Sequence, residues 1–163
     1  MNLLFIGNSI TKHGKCSYWP GVWGMAASSP EKDYVHLLVD KLRKSGQHVE
    51  YADINFFKWE IMDHDRDEVL PLLDDLLYKS YDYIIVQLGE NISSVANLEG
   101  DFRSLLIYLQ KSCLKENILV CSSFFKKDDV DNIKRNICSR GDNMYPLKIF
   151  VALPHISPVK ILK

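Results

Sequence analysis

Two largely apolar runs, each followed at once by a glycine and polar residues, constrain the fold of this chain more than any other feature. The runs are residues 3–6 and 83–88. Continuous apolar, β-branched strands are typical of the buried centre of a parallel sheet, whereas strands with one solvated face alternate. Ligands of such sheets bind just beyond the carboxyl ends of the strands. The polar segments Gly7-Asn8-Ser9 and Gly89-Glu90-Asn91 are therefore the first places to look for a site.

Strand-like and helix-like segments alternate along the rest of the chain. Strands are predicted at residues 3–6, 48–52, 83–88, 118–122 and 147–153. Helices are predicted from Ser29-Pro30 to just before Gly46, and at residues 65–77, 97–115 and 128–138. This order predicts a single α/β domain over residues 1–163, a three-layer αβα sandwich around a parallel sheet. We expect Trp19, Trp23 and Trp59 to pack as core or loop anchors.

Composition excludes some classes of partner. The chain has 20 basic and 21 acidic residues and a net charge of −1, so no basic face indicates nucleic acid. No apolar run reaches the ~18–20 residues that span a bilayer. No export signal is recognisable, and the four cysteines are scattered, so we expect a cytoplasmic protein with reduced thiols. No set of residues has metal-ligand spacing, so neither a metal nor a cofactor is expected. Oligomeric state is open.

The segment Gly7-Asn8-Ser9-Ile10-Thr11 after the first strand, with Gly89-x-Asn91 after the central strand, resembles the SGNH hydrolase superfamily of GDSL-type lipases and acylhydrolases. The resemblance covers roughly residues 1–140. It implies a flavodoxin-like sheet and hydrolysis of an acyl ester of a carbohydrate or lipid. It also implies that Ser9 is the nucleophile and that Asn91 helps to hold the oxyanion.

The chemistry of these residue types agrees with those roles. A serine hydroxyl needs an adjacent base to become a useful nucleophile, and acyl transfer needs donors aimed at the oxyanion. The Ser9 backbone N–H is a second candidate donor, and Gly89, Asn8 and Phe57 are weaker candidates for the oxyanion site or pocket. The resemblance also implies a glycine amide after the second strand, but residues 53–60 contain no glycine.

The general base is the main departure from the family. The resemblance implies a closing Asp-x-x-His, yet His155 is the one late histidine and residue 152 is Ala. His155 is therefore only a weak substitute base. We expect His13 at the surface or pocket rim, His36 on a packing helix, His48 on a strand and His64 in an acidic turn. Residues 145–163 are atypical, and we expect a truncated or frame-shifted C-terminus that lacks the family's last elements.

Two alternatives to an active esterase stay open. One is a catalytically impaired or non-catalytic protein that binds a ligand on the same scaffold. The other is a flavodoxin-like module that binds phosphate at its strand ends. The phosphate module ranks last, because the sequence contains no glycine-rich phosphate loop.

Overall fold

The structure, a computed structural model, describes residues 1–139 and 149–150. Strands and helices alternate along these residues. The strands are β1 (Asn2–Gly7), β2 (Glu50–Asn55), β3 (Tyr83–Gln87), β4 (Ile118–Cys121) and β5 (Ile149–Phe150). The α-helices are α1 (Tyr34–Lys44), α2 (Phe57–Ile61), α3 (Asp74–Leu77), α4 (Leu98–Leu109) and α5 (Asp128–Ser139).

Strands β1 to β4 form an all-parallel sheet of order β2-β1-β3-β4. The two residues of β5 join it in parallel beside β4. The predicted α/β class with a parallel sheet is therefore confirmed. The strand order 2-1-3-4-5 is compatible with a flavodoxin-like fold. The remainder of the predicted fifth strand, His155 and most of the atypical tail lie outside the described residues.

Apolar side chains fill both faces of the sheet, because successive residues of a buried strand point to opposite sides. Leu4 and Ile6 of β1 pack into a cluster that includes residues of α4 and α5. Leu3 and Phe5 pack into a second cluster on the other face, against α1. The result is the predicted order of three layers. Trp59 is buried in the first cluster, as expected, and its ring packs edge-to-face on Phe102 at 5.2 Å between centroids.

The first helix begins later than predicted. Ser29-Pro30 starts only a short 3₁₀ turn, Pro30–Lys32, and Asp33 then caps α1 by accepting a hydrogen bond from the His36 backbone N–H at 2.8 Å. Leu37, one of the apolar residues at helical spacing in this segment, is 52% exposed. The buried residues are Val35, Val39 and Leu42, whose spacing is equally helical. Packing of α1 against the sheet decides which of these apolar residues are buried.

Three other boundaries differ from the prediction. Strand β2 runs on to Asn55, because it pairs with β1 along its whole length, and helix α2 lies between the second predicted strand and the second predicted helix. Residues Arg66–Leu73 form a 3₁₀ helix that contains Pro71, and α-helical geometry begins only at Asp74. Proline has no N–H to donate and its ring crowds the preceding turn, which disfavours one continuous α-helix. Helix α4 ends at Leu109 rather than near residue 115.

Candidate functional site

The loops after three adjacent strands meet at one edge of the sheet. Gly7, the last residue of β1, is in register with Asn55 of β2 and with Gln87 of β3. Neighbouring strands lie about 4.8 Å apart, so the residues that follow all three strands are neighbours in space. Residues 8–11, 56–60 and 88–91 therefore share the carboxyl edge of the sheet, as the sequence predicted for Ser9 and Asn91.

The turn after β1 is packed too tightly for a side chain at Gly7. A Cβ atom there would lie 1.8 Å from Thr11 Oγ1 and 2.7 Å from the Gln87 carbonyl oxygen. The Thr11 hydroxyl is 2.7 Å from the Tyr34 hydroxyl and donates to Gln87 Oε1 at 3.3 Å. Thr11 thus joins the first turn to both α1 and β3. This packing accounts for the Gly7 before Asn8-Ser9 and the Thr11 after it.

Glu60 is the centre of the site, although nothing in the sequence marked it. Its carboxylate is completely buried. Oε1 accepts from Asn8 Nδ2 at 3.1 Å and from the Gly89 backbone N–H, and Oε2 accepts from Asn91 Nδ2 at 2.6 Å. One side chain on α2 therefore holds residues that follow β1 and β3. It was missed because a five-residue helix gives too short a periodic signal to recognise.

Burial raises the pKa of the Glu60 carboxyl, and repulsion from Glu90 adds to the rise. The hydrogen bonds from Asn91, Gly89 and Asn8 favour the ionised form and oppose that rise only in part. Within the described residues Glu60 has no Lys, Arg or His partner within ion-pair distance. Its charge is stabilised by neutral N–H donors alone.

Glu90 provides a second carboxylate beside the first. It accepts from Asn8 Nδ2 at 2.5 Å, from Gln87 Nε2 at 2.9 and 3.0 Å, and from the Phe124 backbone N–H after β4. Asn8 thus has one amide hydrogen for Glu60 and one for Glu90, while its Oδ1 accepts from the Ile10 N–H at 2.9 Å. Because an asparagine amide has two hydrogens, Asn8 retains none for a ligand in this conformation.

Ser9 follows this fully engaged residue and is half-buried. Its carbonyl oxygen accepts from the Met25 N–H at 2.8 Å, which holds the long loop between β1 and α1 against the strand end. Among residues 1–139, neither the hydroxyl nor the backbone N–H of Ser9 takes part in a hydrogen bond. Both groups are thus uncommitted at the carboxyl edge of the sheet.

The other candidate residues differ in whether they keep an N–H donor for a ligand; they are Asn91, Gly89 and Phe57. Asn91 is exposed and donates one amide hydrogen to Glu60, so its second hydrogen remains for a ligand. The Gly89 N–H is used by Glu60, and the Phe57 N–H donates to Asn55 Oδ1 at 3.0 Å. The Phe57 side chain is 44% exposed. The donors that this arrangement offers are therefore Asn91 Nδ2 and the Ser9 N–H.

Each histidine in the described part of the chain has a polar neighbour other than Ser9. His13 Nδ1 lies 2.6 Å from the Gly14 carbonyl oxygen, and the exposed rings of His48 and His64 lie near Glu50 and Asp65. The His36 ring lies against Asp33, and His155 lies outside the described residues. The structure thus gives Ser9 no hydrogen-bonded base among residues 1–139.

Asp33 and His36 form a pair that the sequence prediction overlooked. His36 Nδ1 is 2.8 Å from both carboxylate oxygens of Asp33, whose side chain is only 2% exposed. Asp33 Oδ2 also accepts from the Gly24 N–H at 3.2 Å. The Asp-x-x-His spacing of this pair is visible in the sequence, but the sequence prediction placed His36 only on a packing helix. His36 makes no hydrogen bond to Ser9 in the described part of the chain.

Residues 1–139 contain no group of three or more His, Cys, Asp or Glu side chains arranged to hold a metal ion. Among the described helices, each is too short or too polar to traverse a bilayer. The fold and the site define an α/β protein with a parallel sheet and a cluster of amides and carboxylates at its strand ends. No protein-family model, curated protein or solved structure matches the chain.

Proposed function

We propose that this chain is an SGNH-type ester hydrolase in which Ser9 attacks an acyl carbonyl. One observation carries the proposal. Asn8, which directly precedes Ser9, and Asn91 both donate to the carboxylate of Glu60, although they are 83 positions apart in the sequence. This shared acceptor supports a common site for the serine and the asparagine that the resemblance pairs.

In the proposed reaction, Ser9 Oγ forms a bond to the carbonyl carbon and gives its proton to a base. The carbonyl oxygen becomes an oxyanion, which accepts hydrogen bonds from Asn91 Nδ2 and the Ser9 N–H. The alcohol then leaves with a proton, and water releases the acyl group from Ser9. Donors of this kind matter, because loss of one costs ~10²–10³ in rate in a serine protease.

The substrate class we propose is an acyl ester of a carbohydrate or lipid, as the resemblance implies. The SGNH form of the flavodoxin-like fold and the cytoplasmic location stay predictions with it. The base is either His155 or the overlooked Asp33–His36 pair, or it is lacking. Without a base, a serine hydrolase site still gives ~10³–10⁴-fold catalysis over water from its remaining groups.

Ser9→Ala tests the nucleophile, with 4-nitrophenyl acetate turnover as the assay and Ser93→Ala as the control for an exposed serine nearby. We expect Ser9→Ala to lower kcat at least ~100-fold and to abolish labelling by a fluorophosphonate probe, with Ser93→Ala unchanged. His155→Ala and His36→Ala variants are assayed in parallel, and the variant that loses activity identifies the base. A chain that neither turns over the ester nor reacts with the probe is not a serine hydrolase.

A second candidate is a protein that binds an ester without cleaving it. It is favoured by the uncommitted Ser9 hydroxyl, which makes no hydrogen bond to a histidine among residues 1–139. Isothermal titration with an uncleaved ester, compared between the unaltered chain and Asn91→Ala, tests this function. Binding that depends on Asn91 without product formation is the expected signature.

A further inference from the structure

We propose that Glu60 is a positioning residue that orients the oxyanion donors of this site. The inference rests on the proposed function. It concerns a side chain that does not itself touch the substrate and acts through Asn91 and Asn8. Three features of the structure carry it.

The first feature is the geometry at Asn91. The side chain is exposed, so it would rotate freely without a partner. Glu60 Oε2 accepts one of its two amide hydrogens at 2.6 Å. An amide group is planar, with its two hydrogens at fixed directions, so holding one hydrogen fixes the other. Glu60 thereby aims the remaining N–H, the one available to an oxyanion.

The second feature is the other oxygen of Glu60. Oε1 accepts from the Gly89 backbone N–H and from Asn8 Nδ2. Gly89 has φ of +147°, a conformation that other residues rarely adopt, so this bond holds the turn that leads to Asn91. Asn8 in turn accepts from the Ile10 N–H, which fixes the backbone on both sides of Ser9. Glu60 thus sets the relative position of both candidate donors.

The third feature is the way in which the buried carboxylate of Glu60 is stabilised. A completely buried carboxylate loses its hydration, and burial of a charge is costly unless it is paired and hydrogen-bonded. In the described residues the compensation comes from Asn8, Gly89 and Asn91, without a cation. Donors held in place before the reaction need no reorganisation when the oxyanion forms, which is the source of their catalytic effect. A buried acceptor that fixes the donors supplies this preorganisation.

Glu60→Gln is the sharpest variant, because it keeps the size and removes one acceptor oxygen. The new amide group must face N–H donors of Asn91 or of Asn8 and Gly89, so at least one bond is lost. We expect kcat for 4-nitrophenyl acetate to fall about 10–100-fold per folded molecule, with KM changed less than ~3-fold, since the donors act mainly in the transition state.

Phenylboronic acid, which forms a tetrahedral adduct with a nucleophilic serine, provides a second readout. We expect Glu60→Gln to weaken its binding at least ~10-fold. Leu109→Ala is the control for general destabilisation, because this buried residue lies in the last turn of α4, away from the site. Its kcat per folded molecule should match that of the unaltered chain.

A double-mutant cycle separates positioning from simple stability. Because Glu60 acts in part through Asn91, Glu60→Gln should lower kcat by a smaller factor in an Asn91→Ala background than in the unaltered chain, so the two changes are non-additive. Additive effects, or an unchanged kcat in Glu60→Gln, overturn the inference while the proposed function stands. If the unaltered chain shows neither turnover nor boronate binding, or if Ser9→Ala retains both, the proposed function itself fails.

Discussion

The buried ion pair between Arg66 and Asp101 gives a stability prediction whose size follows from the structure. Arg66 is completely buried, and its Nη1 lies 2.5 Å from Asp101 Oδ2. Its Nε donates to the Trp59 carbonyl oxygen at 3.0 Å, and the guanidinium carbon is 5.4 Å from the Trp59 ring centroid. Nη2 has no partner among the described residues. Asp101 is therefore the one anion that balances this charge within the described chain.

The Asp101→Asn variant removes that anion and leaves the cation buried. Removal of one partner of a buried pair costs about 3–5 kcal/mol, because the other charge is left uncompensated. The Asp101 side chain is 18% exposed, so water can reach the position in part and the lower end of that range applies. We expect a loss of ~3 kcal/mol in the free energy of unfolding. For a chain of this size, that corresponds to a decrease in Tm of ~6–12 °C.

Urea denaturation followed by circular dichroism measures this loss, with the m-value as the check on two-state unfolding. The matched control is Asp40→Asn, because the ion pair of Asp40 with Lys44 has a similar length, 2.6 Å, but is mostly exposed. Exposed pairs contribute little, so no measurable change is expected there. A loss below ~1 kcal/mol in Asp101→Asn would refute the view that burial makes the first pair indispensable.

Three further predictions concern Gly89, Gly100 and Asp131. Gly89→Ala should cost about 1–3 kcal/mol from backbone strain at φ +147°, with further cost because the new Cβ would lie 2.4 Å from Ser123 Oγ and 2.9 Å from Lys134 Nζ. Gly100→Ala in α4, where no atom crowds the new methyl group, should instead stabilise the chain by ~0.5–1 kcal/mol, and urea denaturation measures both changes. The pKa of Asp131 is lowered, because the Ser123 N–H and Lys134 outweigh burial. Its stabilising effect should be full above its unfolded pKa and disappear as pH falls through its lower folded pKa. Asp131→Asn should therefore flatten the acid side of the stability-versus-pH curve, and an unchanged acid side would contradict this assignment.

The strands and their polar ends could be predicted from the sequence, because their signals are local. A largely apolar, β-branched run such as residues 83–88 is typical of a buried strand in a parallel sheet, and β3 lies within that range. Helix starts were harder, since Ser29-Pro30 and Asp33 are both capping signals and the chain uses Asp33 for α1. Local sequence does not contain the packing energy that decides between such alternatives.

The centre of the site could not be predicted in the same way. Glu60 lies 52 positions from Asn8 and 31 from Asn91, so its role depends on contacts between distant segments. The register that aligns Gly7 with Asn55 and Gln87 creates those contacts. The sequence of residues 56–60 contains no periodic pattern that predicts them. The Asp33–His36 pair differs, because its two residues are three positions apart and their spacing is visible in the sequence.

The sequence by itself determined the class of fold and the two polar strand ends, Gly7-Asn8-Ser9 and Gly89-Glu90-Asn91, because apolar runs and small polar residues carry that information locally. Only the tertiary structure decided which of those polar groups remain available. Asn8 and the Gly89 N–H are held by the Glu60 carboxylate, with Glu90 as a further acceptor for Asn8. The Ser9 hydroxyl and N–H and one hydrogen of Asn91 remain uncommitted within the described residues. The physical reason is that a hydrogen bond between segments exists only after strand pairing has brought its donor and acceptor together.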